Sequence, residues 1–130
     1  MRHEVHLARA GFAAYLPVAA ASVVAAALAA GGRGAASAAV GAGLIAANHL
    51  VAVASTGWAP SLGPRVVAVG YAFFVLRMLA LLAAFALVAG LGWIHTVAFV
   101  SAFCATMVAL LAAECLSYAR GSYVPAWRSR

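Results

Sequence analysis

Apolar residues run along this chain in four stretches, each about the length of a bilayer crossing, set apart by charges, Gly clusters and Pro. A spanning helix needs roughly 20 predominantly apolar residues. The first stretch covers residues 10–30 (AGFAAYLPVAAASVVAAALAA), after a polar leader that holds Arg2, His3, Glu4, His6 and Arg9. Pro17 is a candidate kink within it. Gly31-Gly32-Arg33-Gly34 then predicts a tight turn, because Gly takes positive φ without steric cost. The second stretch, residues 35–56, is built of small residues. Ala35, Ala39, Gly43 and Ala47 recur at every fourth position, a stripe that permits close helix approach in lipid.

The connector 57–64 (GWAPSLGP) holds two Pro and two Gly, so it is not helical throughout, and Trp58 suits the interfacial belt. A third stretch, residues 66–89, leads through the short link Gly90-Leu91-Gly92 to a fourth over 93–118. The tail (ARGSYVPAWRSR) is basic and carries Tyr123 and Trp127, a composition that suits an anionic leaflet. The pattern predicts one all-α polytopic membrane domain, with four transmembrane helices arranged as two tight hairpins.

Composition agrees with the pattern. Of 130 residues 68% are hydrophobic and 8% charged, with a mean hydropathy of +1.08; soluble domains carry about 25% charged residues. All eight basic residues are Arg, and the only acids are Glu4 and Glu114. Most soluble enzyme classes are excluded. A net charge of +6 would suggest nucleic acid in a soluble protein, but here Arg flanks apolar runs, and the partner is the lipid bilayer.

With four crossings, Arg2, Arg9, Arg65, Arg120, Arg128 and Arg130 share one side and Arg33 alone lies opposite. The positive-inside rule then places both termini in the cytoplasm. A cleaved signal peptide is the competing reading of the start, but the first run is longer than the usual h-region of about 7–15 residues. The Ala-, Gly- and Arg-rich, Lys-free composition points to a high-GC bacterial gene and so to a bacterial plasma (inner) membrane.

An ionisable residue within a membrane segment is a functional candidate by default, because its charge is costly in hydrocarbon. Arg77 and Glu114 are the two such charges. Helical side chains lean toward the helix N-terminus, so Arg77 reaches toward the cytoplasm and Glu114 toward the membrane centre. Asn48 and His49 on the second run fall in the same layer, which makes Asn48, His49, Arg77 and Glu114 the one polar constellation. Three roles stay open for it: an Arg77–Glu114 pair that fixes bundle register, a charge offered to another membrane protein, or a proton or ion path.

Other chemistry is thin. Cys104 and Cys115 lie eleven residues apart on one run, about 16 Å along a helix, too far to bridge. His3 and His6 lack the spacing and companions of a metal site, and His95 beside Trp93 reads as interfacial. No nucleotide-binding motif and no nucleophile with a base is visible. We expect no catalytic residue, no metal and no cofactor.

Residues 31–48 read GGRGAASAAVGAGLIAAN, which resembles the second-helix entry of the ATP synthase protein I family, small membrane proteins encoded with F-type ATP synthases. Ser37, Gly41, Gly43 and Asn48 match its Gly-containing turn, Ser, Gly pair and Asn. The third run, YAFFVLRMLALLAAFALV, is similar too, with Arg77 on the family's single basic position. The chain departs in three places: Asn48-His49 stands for the commoner Pro-Asn, Arg77 for Lys, and the basic tail is additional.

The resemblance implies a non-catalytic accessory or assembly factor, with other integral membrane subunits as partners and the c subunits of the rotor ring foremost; handling of divalent cations is also implied for some members. Two other classes compete on the residues alone. One is a structural subunit of another bioenergetic membrane complex; the other is a small homo-oligomeric ion transporter or channel.

Overall fold

A computed structural model describes residues 2–56 and 63–119 of the chain. These residues are all-helical apart from turns, and three elements are long and apolar enough to cross a membrane: α1 (Arg2–Thr56), α2 (Val66–Ala89) and α3 (Thr96–Ala119). Trp58 and the connector, Arg120 and the rest of the basic tail lie outside the described residues, as do the side chains of Arg2, His3, Glu4 and His6.

The 55-residue α1 is not one straight rod. Its backbone leaves helical geometry at Ala30 (φ −138°, ψ 16°) and Gly31 (φ 64°, ψ −153°), then resumes. The Gly31 conformation belongs to a region that is essentially closed to residues with a side chain. Residues 2–29 and 32–56 therefore form two arms that fold back on each other. The Tyr15 hydroxyl donates to the Ala42 carbonyl across them at 2.6 Å, and Gly34 sits so close to Ala26 that a Cβ would strike its carbonyl oxygen.

Two sequence expectations are corrected here. The turn is confined to Ala30–Gly31, and Gly32, Arg33 and Gly34 are already helical, because a single Gly in the reversed conformation suffices to turn the chain. The helix also runs through Pro17 with helical dihedrals and starts before residue 10.

The second hairpin is looser than Gly90-Leu91-Gly92 suggests. Non-helical backbone runs to His95, held by turn bonds from Leu91 N–H to the Val88 carbonyl and from Ile94 N–H to the Leu91 carbonyl, each 3.1 Å. His95 then caps α3, its Nδ1 accepting from the Ala98 N–H at 3.3 Å, so that helix starts at Thr96 and not at residue 93.

The core lies between the two arms of α1 and α3. One cluster joins Tyr15, Ala42, Ile45 and Leu110; a second joins Ala26, Ala38, Ala98 and Ala102. Apolar lipid gives helices no hydrophobic reason to associate, so close van der Waals packing of small residues does this work. Gly41 is the tightest case against α3, since a Cβ there would lie 2.6 Å from the Phe99 carbonyl oxygen. Thr106, fully buried, returns its hydroxyl to the Ala102 carbonyl at 2.7 Å, which satisfies it without a partner helix.

The small-residue stripe that packs inside the chain is not the one the four-residue spacing picks out. Ser37, Ala38, Gly41, Ala42 and Ile45 face inward, while Ala39, Gly43 and Ala47 are exposed and nothing lies within 4 Å of a Cβ built on Gly43. Small residues populate both faces of this arm, and α3 takes the Gly41 face, where its backbone at Phe99 and Phe103 comes close.

Candidate functional site

Four polar groups predicted to share a layer are brought to one arm of α1, but as two pairs. Successive helical residues point about 100° apart, so Asn48 and His49 look toward different neighbours. His49 is buried between the N-terminal arm and α3, its ring edge-on to Phe12 with centroids 5.5 Å apart. Gly11 leaves room for it, as a Cβ there would stand 2.7 Å from Nε2. Its Nδ1 lies 3.7 Å from Oε1 of Glu114, whose side chain is 47% exposed. That separation is an electrostatic contact longer than a hydrogen bond.

Glu114 thus sits beside His49 and makes no ion pair with Arg77; among the described residues His49–Glu114 is the one contact between ionisable partners. Arg77 occupies the middle of the 24-residue α2 and lies over the Phe74 ring, Cζ to centroid 5.8 Å. Its Nε is buried without a hydrogen-bond partner. So are Asn48 Oδ1 and His49 Nε2.

Arg77 and Asn48 face a common groove of about 330 Å³ between the C-terminal arm of α1 and α2. Its walls are otherwise apolar: Leu44, Ala47 and Val51 on α1, Ala80 and Ala84 on α2. α2 leans on the rest of the chain at Leu81, against the Tyr15–Ile45–Leu110 cluster, and at Phe85, against Phe99 and Phe103.

A second polar cluster, at the other end of the helices, went unnoticed as a unit in the sequence. Arg33 donates from Nε to the Trp93 carbonyl at 2.6 Å and from a terminal nitrogen to the Gly92 carbonyl at 2.7 Å. Ser37 accepts from the His95 N–H at 2.8 Å and donates to the Arg33 carbonyl at 2.7 Å. The turn of α1 is in this way stitched to the link between α2 and α3. The available signal was a lone Arg beside a Gly-rich turn, which reads as a topology marker and not as a donor to carbonyls 60 residues away.

No group of three or more metal-ligating side chains occurs among the described residues. Cys104 and Cys115 are free thiols on the outer surface of α3. No family model, no curated protein and no solved structure matches the chain. The chemistry on offer is a cation and an amide in an apolar groove, and an imidazole beside a half-exposed carboxylate.

Proposed function

We propose that this protein is a non-catalytic accessory or assembly factor of a multi-subunit membrane complex, acting through helix contacts in a bacterial plasma membrane. In this reading the two arms of α1, α2 and α3 make four crossings with both termini in the cytoplasm, in keeping with the distribution of Arg. The leading candidate for the complex is an F-type ATP synthase, with the rotor-ring c subunits as partners, on the likeness of residues 31–48 and of the Arg77 helix to the protein I family.

One observation carries the reading: α2 is an apolar helix with none of its most hydrophobic window fully buried, and it holds an arginine with no ion-pair partner among the described residues. A helix built only to stabilise its own chain gains nothing from a central charge. Purification from the native membrane in mild detergent, followed by mass spectrometry, tests it. Synthase subunits should accompany the wild type and be lost with Arg77→Ala; a homo-oligomer free of other subunits in both would sink the assignment.

The half-exposed Glu114 beside His49 favours a second reading, a small homo-oligomeric ion transporter. It expects proton or cation flux in proteoliposomes that stops with Glu114→Gln. Protein-free flux rates would remove it.

A further inference from the structure

The groove between α1 and α2 is apolar and lined by a single cation. We propose that it seats a transmembrane helix of another subunit bearing one carboxylate at mid-depth, with small residues beside it. The proposal deepens the accessory reading and rests on it for the partner being a separate subunit.

Charge comes first. Arg77 is in the middle of α2, lies over the Phe74 ring, and has neither a partner for its buried Nε nor an ion pair among the described residues. Arginine stays protonated in proteins, so neutralisation is closed to it, and a counter-anion at its own depth relieves the charge without the side chain having to snorkel to the surface. Arg77 Nε and Asn48 Oδ1 are buried in the groove wall with no hydrogen-bond partner, so the groove itself is apolar and the cation's charge, more than any exposed hydrogen-bonding atom, describes what would sit in it.

Shape agrees with a helix. Ala47, Ala80 and Ala84 form a low floor, and the lining residues of both walls recur at helical spacing, so the groove runs along the two helix axes. Small residues on the walls let a third backbone come close. The depth of the cation speaks against a phospholipid, whose phosphate stays at the membrane surface while Arg77 is at the middle of a 24-residue helix. A second copy of this chain offers one carboxylate within an apolar run, Glu114, which already has His49 beside it; its other acid, Glu4, lies in the polar leader.

The test uses the full chain in phosphatidylcholine vesicles, labelled with a donor at the native thiols of Cys104 and Cys115. Synthetic transmembrane Leu/Ala peptides of roughly 20 residues, carrying acceptor and a central Glu, Gln or Lys, are titrated by energy transfer. The Glu peptide should bind on the order of tenfold more tightly than the Gln peptide. Arg77→Gln should erase that difference, and Arg77→Glu should transfer the preference to the Lys peptide, which also shows that the variant is folded.

Equal binding of Glu and Gln peptides overturns the proposal. So does displacement of the Glu peptide by phosphatidylglycerol, which makes the groove a lipid site. Self-association that disappears with Glu114→Gln overturns it in favour of a second copy. Binding of the Glu peptide together with no synthase subunit in the native purification would fail the accessory assignment and leave the groove standing; the opposite pair of results would fail the groove alone.

Discussion

α2 and α3 are each 24 residues long, and their most apolar windows have mean hydropathies of 2.4 and 2.2. By the measure that governs insertion they are equivalent. Yet 28% of the α3 window is buried within the chain and none of the α2 window. The difference lies in side-chain size. α3 presents Ala98, Ala102 and Thr106 to the arms of α1, which answer with Ser37, Ala38 and Gly41, so backbones meet. α2 presents Val67, Leu76, Leu79 and Leu82, which lipid tails solvate as well as another helix would. Hydropathy decides what enters a membrane, and small residues decide what packs there.

Substitutions that reverse this size rule should break the comparison. The largest effect belongs to Gly41→Leu, whose side chain would have to occupy the position of the Phe99 carbonyl; we expect a loss of about 3 kcal/mol, read as a lowered midpoint in detergent-to-SDS unfolding. Unchanged unfolding would mean that α3 does not sit on Gly41. Next is Gly31→Ala, which puts a Cβ on a backbone reserved for Gly and should cost about 2 kcal/mol in the same titration. A variant as stable as wild type would argue against the fold-back of the two arms.

Phe85→Ala tests the lighter attachment of α2. Its ring meets Phe99 and Phe103 with centroids 5.2 and 5.1 Å away, and its loss should cost about 1 kcal/mol while raising hydrogen exchange in α2 and leaving α3 protected. Equal loss of protection in both helices would contradict the peripheral placement. Smallest of all is Leu79→Ala, on the exposed face of α2, which should leave the unfolding midpoint unchanged. A marked destabilisation there would reveal a covered surface.

The all-helical character, and apolar helices long enough to cross a membrane, were legible from run length alone. So was the place where α1 breaks, because a Gly cluster between two apolar runs has few other uses. What stayed hidden depends on rotation about a helix axis. Ala35, Ala39, Gly43 and Ala47 form as good a stripe as Gly34, Ala38 and Gly41, and only the partner's contour separates them. Asn48 and His49 looked like one polar step, but adjacent helical positions diverge, so one meets the groove and the other meets Glu114. Arg33 donates to the backbone carbonyls of Gly92 and Trp93, which leave no trace in residue identity.

The stitch at Arg33 and Ser37 also divides α2 into a held end and an exposed one. Its C-terminal end is tied through the link at Gly92–His95, Leu81 and Phe85 rest against the other helices, and residues 67–76 are exposed, with Phe73 and Leu76 bordering the groove. Arg77 stands two turns from Phe85, about 12 Å, so the groove lies where the anchored part of the helix gives way to the exposed part.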